Sequence, residues 1–341
     1  MSWECALLKQ VTKSTAIIDT QALGEQGVVA AYLVSGKETA LIEMGYRSSA
    51  ETLIKDLLAH GIDDDDLHHL LPTHVHLDHC GSCGTIAQRY SNAIVGVHPK
   101  GQPHLTDPTR LVRSAGEVFV EPLIQRFGVP DPVSNNRIHI VQDHDQVSLG
   151  NGITLRSIWT PGHAPHHLSY LLEETGDLFT GDAVGAYPPA MPVLIPTTPP
   201  PSFNLERAID SIKRLQDLSP MNLFTPHFGL LDNPGANFEK DVNTLLDWKS
   251  RLEQLVSKQV SVNEIVASVV EDVTQRAGRP PTDLPEFLRG TTRVSVLGLL
   301  TYLEWRSKQR FQLARVDLDC TRLRSEQISF KEQRRLSPKL R

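Results

Sequence analysis

An α/β unit followed by an all-helical segment is what this sequence predicts, on three observations. Through roughly residue 230, short apolar runs rich in β-branched residues alternate with helix-spaced stretches. A dense histidine–aspartate loop, THVHLDH, directly follows one of the apolar runs. Past about Asn233 no strand-like run remains, and apolar residues recur at helical spacing.

The elements follow in order. Thr15 to Ile18, Val28 to Val34 and Thr39 to Ile42 read as strands broken by Gly27, Gly36 and Gly45. Ser48 or Ser49 caps a helix running to about His60, which Gly61 ends. Leu67 to Leu71 is a strand stopped at Pro72, so THVHLDH sits on a loop at a strand's C-terminal end. Ala93 to Val97 is a further strand, and Thr109 to Phe127 reads as a helix. Strands resume at Arg137 to Val141, Ile153 to Trp159, Leu168 to Leu172 and Asp177 to Thr180. Residues 187–203 hold seven prolines, too many for regular structure, and predict a stiff loop. A helix from Leu205 to Leu218 and a strand from Leu223 to Thr225 lead to His227. Helices then follow at Phe238 to Val256, Val262 to Val273 and Val294 to Leu313. The reading is of a catalytic domain over 1–235, a helical cap over 236–318 and a basic tail over 319–341.

A 341-residue chain with 40% hydrophobic and 22% charged residues can bury a sizeable core. A net charge of −6 gives no general attraction to nucleic acid or anionic membrane. The stretch from Cys320 to Arg341 is the exception: Arg322, Arg324, Lys331, Arg334, Arg335, Lys339 and Arg341 stand against Glu326 and Glu332. It reads as a solvated arm, with polyanion docking as the alternative. No apolar stretch has transmembrane length, and the first residues lack a secretory layout. Four cysteines make no disulfide framework, so the expectation is a cytoplasmic protein with reduced thiols.

His74, His76, Asp78 and His79 fall within six residues. Alternate positions on an extended loop face one way, so His74 and His76 can grip one ion while Asp78 and His79 turn toward a second. Imidazole and carboxylate suit zinc and iron. The motif resembles the HxHxDH signature of the metallo-β-lactamase superfamily, and the match continues in order. TPGHAPHH supplies His163, FTGDA supplies Asp182 and TPHFG supplies His227. The resemblance covers about residues 15–230. It implies that His74, His76 and His163 take one ion, that Asp78, His79 and His227 take the other, and that Asp182 bridges them. With the strand–helix alternation, it implies an αβ/βα sandwich of two mixed sheets face to face, with helices outside and a helical C-terminal region.

Other residues near these motifs carry weaker signals. LIEMG puts Glu43 where the family usually has an aspartate supporting the metal loop. His167 reads as a supporting or structural residue. His166 either lines the cleft or faces solvent. Cys80 and Cys83 form CGSC after the metal loop and read as small buried side chains, since no second pair accompanies them. His60, His68, His69, His98, His104, His139 and His144 fit no ligand spacing and read as surface histidines.

What the resemblance implies for function is a hydrolase with two divalent ions, zinc first and iron or manganese as the others. Two ions sharing a water lower its pKa toward neutrality, and the bridging hydroxide attacks a carbonyl. Asp78 and Asp182 are the catalytic carboxylates. The outline resembles the glyoxalase II, lactonase and quorum-signal thioesterase branches, which points to ester, thioester or lactone cleavage. Tyr187, five residues after Asp182, and His166 are the candidate substrate-binding residues. Met191, Val193, Leu194, Ile195 and Phe203 on the proline-rich loop suit an apolar acyl or aromatic group on a small molecule. Neither nucleic acid nor membrane is expected as a partner, and a homodimer is compatible. The competing classes are a phosphodiesterase or nuclease of the same superfamily and a di-iron oxidoreductase. The acidic balance opposes the first. The intact His76 and the absence of a Gly-rich phosphate loop oppose the second.

Overall fold

A computed structural model of the chain describes residues 8–119 and 121–309. Seven strands form one sheet in sequence order: β1 (Leu8–Gln10), β2 (Thr15–Asp19), β3 (Ala30–Ser35), β4 (Thr39–Ile42), β5 (Leu67–Leu71), β6 (Ile94–Val97) and β7 (Ile138–Ile140). β1 to β4 pair antiparallel, and β4 to β7 pair parallel. Six strands form the second sheet: β8 (Gln146–Gly150), β9 (Ile153–Trp159), β10 (Leu168–Leu172), β11 (Asp177–Phe179), β12 (Asn222–Thr225) and β13 (Gly229–Leu231). Its one parallel pair is β11 with β12. Both sheets are therefore mixed, as expected.

Period-two alternation stacks the layers. Along β2, β3 and β4, Ile17, Tyr32, Val34 and Ile42 enter a core shared with Leu155, Leu168, Tyr170, Phe179 and Phe224 of the second sheet. The Tyr32 ring meets Phe179 and Phe224 at 5.3 and 5.4 Å between centroids. Their neighbours Ile18, Leu33 and Leu41 point to the opposite face. There they meet Leu53 and Leu57 of α1 (Ala50–Ala59). Between β5 and β6 lie α2 (Leu77–Cys80) and α3 (Cys83–Arg89), whose Ile86 joins the same core. Three more helices lead from β6 to β7: α4 (Gln102–Thr106), α5 (Thr109–Val118) and α6 (Glu121–Phe127). The outer face of the second sheet is covered by α7 (Leu205–Asp217), through Leu205, Ala208, Ile212 and Leu215.

Three helices follow: α8 (Pro234–Ser257), α9 (Val262–Arg276) and α10 (286–309). They share the core of α7, burying Phe238, Leu245 and Trp248 from α8, Ile265 and Val269 from α9, and Val296, Leu299 and Tyr302 from α10. The division read at residue 235 falls in the first turn of α8. The basic tail lies outside the described residues. No helix among the described residues is long and apolar enough to cross a membrane.

The single helix expected over Thr109 to Phe127 is two. Phe119 is extended, at φ −94° and ψ 150°, and separates α5 from α6. Pro122 offers no N–H to an uninterrupted helix through this point, which is where the break falls. The break turns Phe119 toward Phe127 at 5.1 Å between ring centroids.

Candidate metal centre

The two sheets bring seven side chains together from the C-terminal ends of four strands. His74, His76, Asp78 and His79 follow β5, His163 follows β9, Asp182 follows β11 and His227 follows β12. Three groups have donor atoms clustered closely enough to share an ion: His74, His76 and His163; His74, His79 and Asp182; Asp78, His79 and His227. These are the seven residues read from the motifs.

The histidines arrive with lone pairs already aimed inward. His74 Nδ1 lies 3.0 Å from Thr73 Oγ1, and that hydroxyl donates to Glu43 Oε1 at 2.6 Å. Thr73 must therefore accept from His74, leaving His74 Nε2 unprotonated. His163 Nδ1 donates to the Thr197 carbonyl and His227 Nδ1 to the Val28 carbonyl, each at 2.9 Å. His79 Nδ1 faces Glu43 Oε1 at 3.1 Å. Such outer partners fix the tautomer of a ligating imidazole.

The facing nitrogens then crowd together. His74 Nε2, His76 Nδ1 and His163 Nε2 are 2.9 to 3.1 Å apart. Lone pairs on His74 and His163 cannot hydrogen-bond one another. Nitrogens sharing a tetrahedral zinc at about 2.1 Å stand about 3.4 Å apart, which is close to this spacing. His79 Nε2 is 3.6 Å from both Asp78 Oδ2 and Asp182 Oδ1. His227 Nε2 is 3.5 Å from the same two carboxylates. His79 Nε2 and Asp182 Oδ1 are buried without a hydrogen-bond partner among the described residues. Divalent cations fit the donor set that these atoms complete.

Electrostatics agree. Burial, reinforced by neighbouring imidazoles, drives His74 well below its ordinary pKa. Burial pushes His76 down to about 3, with His163 adding to the fall. Burial opposes ionisation of Asp182, but His79, His163 and His227 outweigh it and keep the carboxylate charged. His79 and His227 go the other way: burial opposes their charge, but the carboxylates Asp78 and Asp182, with Glu43 also facing His79, outweigh it and raise both, so an entering cation would take the place of their protons.

The supporting residues show how tightly the loops close. Glu43 is fully buried at φ +62° and also accepts the Thr73 N–H at 3.3 Å. It stands behind His79, in the supporting position read from the sequence. His167 accepts the Asp182 backbone N–H on Nε2 at 2.9 Å and pairs Nδ1 with Thr160 Oγ1 at 2.8 Å. Gly181 makes this approach possible: at φ +52°, a Cβ there would sit 2.5 Å from His167 Nε2 and 2.6 Å from Thr73 Oγ1. Cys80 and Cys83 are free and buried beneath the loop, with Cys83 Sγ 3.9 Å from Met44 Sδ.

A cavity of about 220 Å³ opens onto His76, Asp78, His163, Asp182 and His227. One wall is aromatic: Tyr46 stacks on Phe127 at 4.3 Å between centroids, Phe119 meets Phe127, and Phe287 of α10 also lines it. Ala186, Ile195 and residues 196–201 of the proline-rich loop form another wall. No lysine or arginine is among the described lining residues.

Several expectations need correction here. Neither candidate substrate-binding residue lines the cavity. The Tyr187 hydroxyl bonds Lys240, whose Nζ also sits 4.5 Å from the ring centroid. His166 is buried behind the cluster, its ring 6.1 Å from His74 and 5.9 Å from His76. Of the five apolar loop residues, only Ile195 faces the cavity. Met191, Leu194 and Phe203 are buried, and Val193 is half-buried against the core. The loop is pinned by a reciprocal backbone pair, the Ala186 N–H to the Ile195 carbonyl at 2.8 Å and the Ile195 N–H to the Ala186 carbonyl at 2.9 Å, and its apolar side chains anchor it inward. Thr73, Thr160 and Thr197 were not singled out from the sequence. Thr73 and Thr160 open the THVHLDH and TPGHAPHH motifs, while Thr197 lies on the proline-rich loop, outside every motif.

Comparison with known proteins is consistent with this geometry. A family model described as the metallo-β-lactamase superfamily matches residues 24–227. A metallo-β-lactamase fold-containing protein of Sulfurisphaera tokodaii is 30% identical over 216 residues, 62% of this chain and 76% of its own. The crystal structure of an archaeal metallo-β-lactamase superfamily protein from Sulfolobus tokodaii superposes with a TM-score of 0.59 at 28% identity, over 80% of this chain and 93% of its own. An Aspergillus fumigatus protein named atrochrysone carboxyl ACP thioesterase is 27% identical over 238 residues, 68% of this chain and 59% of its own.

Proposed function

The chain belongs to the metallo-β-lactamase superfamily of metal-dependent hydrolases, and from that premise we propose that it cleaves an ester, thioester or lactone bond in a small molecule bearing an apolar acyl or aromatic group. The observation that carries this reading is the cavity wall. Tyr46, Phe119, Phe127 and Phe287 offer aromatic and apolar surface beside the candidate metal centre, while the charged lining residues are the acids Glu25, Asp78 and Asp182. A phosphodiester or nucleic acid would call for cationic side chains along its phosphates, which this wall lacks. The thioesterase named among the relatives supports the same bond class.

In this reading His74, His76 and His163 would hold one divalent ion and Asp78, His79 and His227 a second, with Asp182 within reach of both groups. Zinc heads the candidates, followed by iron and manganese. Ions held there supply Lewis acidity, which lowers the pKa of water and polarises a carbonyl. The chain's residues do the rest. Asp78 is a fifth exposed and lines the cavity, so its carboxylate is placed to accept a hydrogen bond from an attacking water. The aromatic wall seats the acyl group and excludes bulk water.

The test is a side-by-side assay of the zinc-loaded protein on an aryl thioester, a lactone and an activated phosphodiester. Faster turnover of the carboxylic substrates is expected. A preference for the phosphodiester would overturn the bond class, and undiminished activity after complete metal removal would overturn the metal reading.

A further inference from the structure

Two consecutive threonines join the candidate metal centre to the C-terminal helix. Thr197 faces the cluster. Its carbonyl accepts from His163 Nδ1 at 2.9 Å, and its hydroxyl donates to the Asp182 carbonyl at 3.0 Å. Thr198 faces α10. Its hydroxyl donates to the Ser295 carbonyl at 2.7 Å, and its backbone N–H reaches Ser295 Oγ at 3.5 Å. Both Thr198 and Ser295 are buried.

Less than one turn beyond Ser295, the helix presses directly on the loop backbone. A Cβ on Gly298 would lie 1.8 Å from the Thr198 carbonyl oxygen and 2.7 Å from the Pro199 carbonyl carbon. Backbone atoms cannot step aside cheaply, so only glycine allows this approach. Pro196 and Pro199 bracket the threonine pair and restrict its backbone further. Displacement of Thr198 is thus passed to Thr197, and from there to the His163 ring and the Asp182 backbone.

We propose that α10 is a positioning element for the metal centre, holding Thr198 so that Thr197 aims His163 and Asp182. The inference rests on the assignment of those two residues as ligands. It gives α10 a role distinct from its contribution of Phe287 to the cavity. Gly298 does not line the cavity, so a helix serving only as a wall would not link Gly298 to ion binding.

The experiment titrates zinc against a chromophoric chelator in wild type, Thr198→Val, Thr198→Ser, Gly298→Ala and His163→Ala. Thermal unfolding of each metal-free protein is measured in parallel. Visible spectra of the Co²⁺-loaded forms report ligand geometry. Loss of an outer hydrogen-bond partner costs about 10- to 100-fold in metal affinity. Thr198→Val should therefore weaken zinc binding about tenfold and alter the Co²⁺ spectrum. Thr198→Ser, which keeps the hydroxyl, should stay within about twofold of wild type by the same reasoning. Gly298→Ala should weaken zinc binding in the same direction. If either Thr198→Val or Gly298→Ala fails to fold, the other carries the test. Unchanged zinc affinity and an unchanged Co²⁺ spectrum in a folded variant of either kind overturn the proposal. If His163→Ala also binds zinc normally, the ligand assignment itself has failed, and the two failures are distinguishable.

Discussion

Glu43 Oε1 lies 3.1 Å from His79 Nδ1, and both side chains are fully buried. The same carboxylate takes the Thr73 hydroxyl and backbone N–H, so one acid anchors a candidate ligand and the base of the histidine–aspartate loop. Glu43→Gln keeps the shape but removes the charge, and one amide oxygen cannot serve every donor. The expected result is a 10- to 100-fold loss in zinc affinity, on the order seen for outer-partner substitutions. A competition titration measures it. Unaltered affinity would mean that Glu43 only fills space.

Asp182 stands 3.5 to 3.6 Å from ring nitrogens of His79, His163 and His227, which span both candidate ion sites. Asp182→Ala should lower bound metal from about two ions per chain toward one, on the two-ion reading. It should cut kcat/KM by more than about 100-fold, beyond the effect of an outer partner. Elemental analysis and kinetics on the same preparation check both. Full occupancy with full activity would remove Asp182 from the centre.

Asp241 on α8 offers a test independent of the metals. Burial pushes its carboxyl up to about 7, with the Gly185 N–H as the weaker opposing influence. An unfolded aspartate ionises near its ordinary 3.8. The folded state therefore binds the proton more tightly. Its stabilising contribution is complete below about pH 4 and disappears as pH rises through about 7. Three pKa units correspond to about 4 kcal/mol at most. Asp241→Asn should flatten this part of the stability–pH curve and unfold at higher denaturant than wild type at pH 8. Parallel curves for the two proteins between pH 4 and 8 would contradict the buried-acid account.

Phe287→Ala removes one ring of the cavity wall without touching the metal cluster. Losing apolar contact in a substrate pocket typically costs 1–3 kcal/mol of discrimination, or about 10- to 200-fold. An aryl or long-acyl thioester should show KM raised by about tenfold, while a small acetyl ester keeps its kcat. Equal effects on the two substrates would place the acyl group elsewhere. A point substitution is preferable to deleting the C-terminal helices, because α10 buries Val296 and Leu299 in the shared core.

Sequence legibility followed chemistry. The seven candidate donors stand out in the sequence because metal binding demands specific residue types at close spacing, and TPGHAPHH, FTGDA and TPHFG carry those demands locally. The long apolar strands were visible for the same reason: Leu168–Leu172 is buried at every position. Three short edge strands were missed. Leu8–Gln10, Gln146–Gly150 and Gly229–Leu231 alternate weakly and owe their form to partners across the sheet. Tyr187 does not line the cavity, because nearness in sequence to Asp182 does not set the direction of a side chain. Its ring turned to Lys240 instead. The apolar loop residues were misjudged because hydrophobicity alone cannot distinguish an anchor from a wall.

The four strand ends that supply the candidate ligands belong to two different sheets. An ion held by His74 and His163 would join positions 89 residues apart in the chain. Such an ion acts as a reversible cross-link, closing a long loop much as a disulfide does, by removing freedom from the unfolded chain. Unlike a disulfide, it answers to concentration: each tenfold rise in free metal above its dissociation constant adds about 1.4 kcal/mol to the native state. With ions held there, the molecule's endurance of heat would be set partly outside it, by how much metal its surroundings supply, and a chelated sample should melt earlier than a loaded one with every covalent bond unchanged.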